Sequence, residues 1–95
     1  MARQLLRAGT SVGANVEEAK AAQSRRDKAS RFSVALKESR ETSYWLRLMR
    51  ATRLADESLL NPHILEANEL TAIFTTTRRK LRSSGNEETN QDRRG

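Results

Sequence analysis

RRDKASRFSVALKESRETSYWLRLMRAT, residues Arg25 to Thr52, runs its whole length without a glycine or a proline. Its composition suits one long helix, and the faces of that helix say how the chain packs. At about 100° per residue, Phe32, Ala35, Ser39, Thr42, Leu46 and Met49 gather on one side as a core stripe. Beyond one edge lie Arg26, Ser33, Lys37, Arg40, Tyr44 and Arg47, a basic stripe. On the other flank stand Val34, Trp45 and Leu48, alongside Glu38 and Glu41. A lone three-helix bundle would leave that second apolar flank facing water, and a contiguous exposed apolar patch marks a contact site, so the pattern predicts self-association. The plainer alternative is a wide core stripe that spills over its edge.

Upstream, Ser24 is placed to cap this helix, with Asp27 three residues on as a short capping box. Before it, a helix is expected from about residue 3 to 23, with Leu5, Ala8, Val12, Val16 and Ala19 along one side. The stretch SVGANVEEA, Ser11 to Ala19, interleaves that stripe with small and polar residues. Gly9 and Gly13, with Ala8 and Ala14, remove bulk and let a neighbouring helix approach closely. Ser11 and Asn15, four apart and so adjacent on one edge, are expected to hydrogen-bond that neighbour, with Glu38, Glu41 or Arg7 as partners. The alternative is a solvated polar edge.

Downstream, RLADESLLNPH (Arg53 to His63) is a connection. The third helix starts either after Asp56 as cap or after Asn61, with Pro62 in its first turn, and both remain open. It carries Ile64, Ala67, Leu70, Phe74, Thr77 and Leu81 and ends near 82. Residues 83 to 95, SSGNEETNQDRRG, are polar and lack any aromatic, and are expected to be a mobile tail. The fold class is therefore all-α. Short connections make the helices antiparallel neighbours in an up-down bundle over 1–82.

A chain of 95 residues has limited power to bury surface alone, which again favours self-association. With 36% hydrophobic and 32% charged residues, it is a surface-rich helical composition, unlike that of a large enzyme with a deep pocket. The absence of cysteine excludes disulfides and thiolate zinc sites and fits a reducing, cytoplasmic setting. No signal peptide is recognisable, and no apolar run approaches the roughly 18 residues a membrane helix needs, so no membrane partner is expected.

The net charge is +6, and the last thirteen residues are slightly acidic, so the stretch before them carries the excess. Such charge attracts polyanions, and nucleic acid, RNA or DNA, is the natural partner, with no sequence specified. The candidate binding cations fall in three groups: Arg25, Arg26, Lys28 and Arg31 opening the second helix; Lys37, Arg40, Arg47 and Arg50 along it; Arg78, Arg79, Lys80 and Arg82 closing the third. Cations at a helix C-terminus also suit its dipole, whereas the group at the start of the second helix opposes the dipole and calls for another explanation. Tyr44 offers occasional stacking.

No catalytic or metal constellation emerges. A two-metal bundle needs a Glu from each of two helices and Glu-x-x-His from each of the others. Here Glu38, Glu41, Glu66 and Glu69 have a single histidine, His63, which precedes Glu66 instead of following a Glu by three. The acids read as salt-bridge partners of the arginines. Gly9 and Gly13 lie in a helical pattern with no preceding strand, so they form no phosphate loop. Neither an enzyme nor a cofactor is expected.

The chain from about residue 4 to 82 resembles the 23S rRNA intervening-sequence protein family of bacterial four-helix-bundle proteins. Gln4, Arg7, Ala8, Ser11, Asn15, Glu18 and Ala19 carry the likeness, followed by Ser24, Asp27, ALKESRET with Glu38 and Glu41, and EANEL with Glu66 and Leu70. The resemblance implies an antiparallel four-helix bundle, commonly a ring-like homopentamer with a basic surface. A similar protein is the accessory variability determinant of diversity-generating retroelements, a pentamer that binds nucleic acid and its reverse transcriptase. Family members usually have a helix before the element matched by QLLRAGTS. Here Met1 stands just ahead of it, so three of four helices are expected in this chain. Ser11, Asn15, Glu18, Val34, Glu38, Glu41, Trp45 and Leu48 become the candidate packing or interface residues. The combined expectation is a non-enzymatic, self-assembling bundle that binds RNA or DNA. A protein-interaction scaffold is the first alternative, a carboxylate metal-binding bundle the second.

Overall fold

The computed structural model describes the backbone of residues 2–94 and the side chains of residues 2–83. Three helices follow one another: α1 over Ala2–Ala21, α2 over Arg25–Ala51 and α3 over Glu57–Arg94. The backbone of α3 is thus helical well past residue 82; the side chains of 84–95, where most of the expected tail falls, lie outside the described residues.

The helix ends follow local chemistry. Ser24 is extended, at φ −124° and ψ 158°, and its hydroxyl accepts the Asp27 N–H at 3.1 Å, which satisfies one orphan donor of α2. At the other end of α2, Arg53 adopts φ 57°. The N–H of Leu54 reaches back to the Met49 carbonyl at 3.0 Å and that of Arg53 to the Arg50 carbonyl at 3.2 Å. This is a Schellman closure with arginine where glycine is the usual residue. Of the two starts left open for the third helix, the first is observed: the Asp56 carbonyl accepts the N–H groups of Leu59 and Leu60, both at 3.1 Å. Pro62 therefore sits inside the helix, removing the bond that position would otherwise make to the Ser58 carbonyl.

α2 is the spine. α1 packs against it on one side and α3 on the other, while among the described residues no Cα of α1 comes within 8 Å of one of α3. Ala35, Leu36 and Phe74 form one buried cluster, with Val12, Val16, Phe32 and Leu70 packed on it. Leu46, Leu60, Ile64 and Ala67 form a second, with Leu5, Met49 and Ala55 against it. The α2–α3 seam also carries polar pairs, in which buried Ser39 and Ser43 meet more exposed partners on α3. Ser43 donates to the Asn68 side-chain oxygen at 3.0 Å, and Ser39 meets the Thr71 hydroxyl. Because Thr71 spends its proton on the Ala67 carbonyl at 2.8 Å, Ser39 is the donor in that pair. Polar groups so paired fix which residues of the two helices face one another.

The glycines of α1 behave differently from expectation. Nothing stands within 4 Å of where a Cβ would be at Gly9 or Gly13, so no helix of this chain approaches them. A glycine inside a helix costs about 1 kcal/mol against alanine, and here packing within the chain does not offset it.

Candidate nucleic-acid interface

Antiparallel packing of α2 on α3 brings the start of one beside the later turns of the other. Phe32 and Phe74 mark the level, their ring centroids 6.0 Å apart. Beyond that pair, toward the α1–α2 connection, stand Arg25, Arg26, Lys28 and Arg31 on α2, Arg78, Arg79, Lys80 and Arg82 on α3, and Lys20 at the end of α1. Only Glu17, Glu18 and Asp27 oppose these nine cations among the described residues of that end. Lys20 pairs with Glu17 at 3.3 Å and Arg31 reaches Glu18 at 4.0 Å, but all four side chains are exposed, so water and salt weaken both contacts. Over the rest of residues 2–83 the seven cations and six acids nearly balance. The net charge thus accumulates at one end of the bundle. Two groups that are some fifty residues apart in sequence become one basic surface.

Within it, Thr75, Arg78, Arg79, Arg82 and Ser83 line an open hollow of about 390 Å³. Lys28 and Arg78 are half-buried along their stems, and the other cations of these two groups are exposed. The third group divides. Lys37 and Arg40 extend the basic surface along the outward side of α2, where Tyr44 is 51% exposed. Arg47 lies further along, exposed, its Nε donating to the Ser43 carbonyl at 3.3 Å. Arg50 sits at the far end, half-buried, and donates to the Asn61 side-chain oxygen at 2.9 Å, tying α2 to α3. It lies at the end of α2 remote from the first two groups, with Arg53 lining the same hollow.

The acidic flank of α2 faces α1. Arg7 donates through Nη1 to Glu38 at 3.3 Å and through Nη2 to Glu41, and the Trp45 indole N–H reaches Glu41 at 3.4 Å. The Arg7 bond, reinforced by that of Trp45, holds the Glu41 carboxyl below its usual 4.5 and raises the Arg7 guanidinium in turn. Glu38 is buried at 8% exposure, while Trp45 and Leu48 are half-buried and Val34 is 38% exposed. Trp45 stacks edge-on with Tyr44, their centroids 5.1 Å apart. α1 therefore shields part of the flank that the sequence leaves facing water. Ser11 and Asn15 do not cross to α2. The Asn15 amide donates to the Ser11 carbonyl at 2.8 Å and to its hydroxyl at 3.2 Å, both within α1. Glu18 is exposed near Arg31. Of the interhelical partners considered, Arg7 with Glu38 and Glu41 is the pair that forms. Leu36, Ser43, Asn68 and Thr71 contribute to the α2–α3 seam without having been singled out in the sequence.

Among the described residues no group of three or more His, Asp or Glu stands close enough together to hold a metal ion. No described helix is long and apolar enough to cross a membrane.

The profile described as 23S rRNA-intervening sequence protein matches residues 1–76. The chain belongs to that family. A solved relative, a Bacteroides thetaiotaomicron protein of unknown function from the S23 ribosomal protein family, is 36% identical and superposes with a TM-score of 0.76, the match covering 81% of this chain and 69% of that one. None of the curated proteins matches the chain. The intervening-sequence protein family thus accounts for the helical-bundle architecture, while the basic end is a property of the residues described above.

Proposed function

We propose that this intervening-sequence family protein binds the phosphate backbone of nucleic acid, RNA before DNA, through the basic end formed by the start of α2 and the later turns of α3. One observation carries the reading: antiparallel packing merges Arg25, Arg26, Lys28 and Arg31 with Arg78, Arg79, Lys80 and Arg82, against three acids at that end among the residues whose side chains are described. A surface of this kind neutralises phosphates and releases counterions, without reading base edges. The placement of four cations in the first two turns of α2 supports it, because they oppose the helix dipole and so need a reason other than helix stability. The family's description in terms of 23S rRNA makes RNA the first polyanion to test. Lys37, Arg40 and Tyr44 continue the surface along α2.

The test is fluorescence anisotropy of a labelled RNA duplex and a DNA duplex of arbitrary sequence, titrated with the full chain across a salt series. The expected result is an affinity that falls log-linearly and steeply with salt and differs little between sequences. Undetectable binding at low salt, or binding indifferent to salt, overturns the proposal.

A further inference from the structure

Midway along the outward side of α2, the chain's single tyrosine stands in a row of cations. Lys37, Arg40, Tyr44 and Arg47 follow at spacings of three, four and three residues, so each is the surface neighbour of the next. The row covers about 15 Å of helix. All three cations are exposed, and among the described residues neither Lys37 nor Arg40 has an acidic partner. Glu41, on the neighbouring edge, is engaged by Arg7 and by the Trp45 indole. Tyr44 is 51% exposed and leans edge-on against Trp45, centroids 5.1 Å apart. Since Trp45 is tied through Glu41 to Arg7 of α1, the tyrosine ring is backed by contacts that run into the bundle.

We propose, resting on the phosphate-binding reading, that this row takes single-stranded nucleic acid, with an unpaired base stacked on Tyr44 and the phosphates flanking it held by Arg40 and Arg47. A phosphate contact does not tell a paired strand from an unpaired one; an aromatic platform does. Every base has a π-face, but in a duplex that face is covered by the neighbouring bases, and freeing it costs unstacking energy. A single strand presents the face without that cost. Arg40 and Arg47 stand about one helical turn to either side of the ring, where their long arms are placed to meet the phosphates before and after a stacked nucleotide.

Continuity with the basic end favours the same occupant. Arg26 and Ser33 lie on the outward side of α2 in line with Lys37 and Tyr44, and no acid of α2 interrupts that line. A strand stacked on Tyr44 therefore runs on to the cations where α2 begins and α3 passes, over about 30 Å from Arg26 to Arg47, without leaving positive ground. An acidic polypeptide would meet the same cations but would bring no plane to the tyrosine ring.

Trp45, the chain's only tryptophan, reports on its neighbour. The full chain is titrated with oligouridylate, which does not pair with itself, and separately with an RNA duplex, following anisotropy of the labelled nucleic acid and Trp45 emission. The single strand should quench Trp45 in step with binding, and the duplex should leave it unchanged. Tyr44→Leu should weaken single-strand binding at least about fivefold while leaving duplex affinity and its salt slope as in the parent. Tyr44→Phe, which keeps the ring, should bind like the parent, and both variants should keep its circular dichroism. Single-strand binding that ignores Tyr44→Leu and leaves Trp45 emission constant overturns the proposal while the phosphate-binding reading stands. Binding to neither nucleic acid overturns both. Polyglutamate binding that falls as far with Tyr44→Leu also overturns it, since stacking then plays no part.

Discussion

Removing Arg78, Arg79 and Arg82 together, as glutamines, probes the basic end most directly. All three line one open hollow with Thr75 and Ser83, on the stretch of α3 beyond Phe74. If each meets one phosphate, the slope of log affinity against log salt should flatten by about 2.7 on duplex DNA, from roughly 0.9 per contact. Over a change from about 50 to 200 mM salt, that difference is about 40-fold: the parent loses that much more affinity than the variant. The control is Arg50→Gln, equal in chemistry for one charge but taken from a guanidinium held by Asn61 at the opposite end. It should move the slope by less than one contact. Anisotropy with a labelled duplex at five or six salt concentrations measures both. Equal slopes for the triple variant and its parent would refute the placement of the phosphate contacts, and an Arg50→Gln effect per charge as large as the triple's would show that only total charge matters.

Three further outcomes follow from the packing. Glu41 has its carboxyl held low by Arg7 and Trp45, so the unfolded chain binds a proton more readily; stability should be complete above pH 4.5 and decline as pH falls toward the lowered value, and Glu41→Gln should flatten that part of a urea-melt pH profile. Leu36 on α2 is 1% exposed in the cluster with Phe74, so Leu36→Ala should cost about 2 to 5 kcal/mol by equilibrium denaturation, a large fraction of what a domain of this size commonly has. Arg53 holds φ 57° at the close of α2; Arg53→Gly should relieve about 1 to 2 kcal/mol of left-handed strain against ~0.5 to 1 of added chain entropy, raising the melting temperature by a few degrees.

Much of this architecture is legible from the residues. Ser24 and Asp27 announce the start of α2, and the glycine-free run from Arg25 to Thr52 announces its length. The alternation of two apolar clusters along the chain follows from stripes visible at 3.6-residue spacing, such as Ala35 with Leu46 and Ile64 with Phe74. The rest was hidden for physical reasons. Leu36 and Ser43 lie at the edge of the stripe because α2 has neighbours on two sides, which widens its buried arc beyond what one periodic face suggests. Ser11 and Asn15 have chemistry that suits either a neighbour or their own helix, and four-residue spacing made the local bond available first. The choice between Asp56 and Asn61 could not be read, because proline is tolerated deeper in a helix when its lost bond falls near the first turn. The merging of the two cation groups needed the register of α2 on α3, which the Ser39–Thr71 and Ser43–Asn68 pairs set and a one-dimensional reading does not contain.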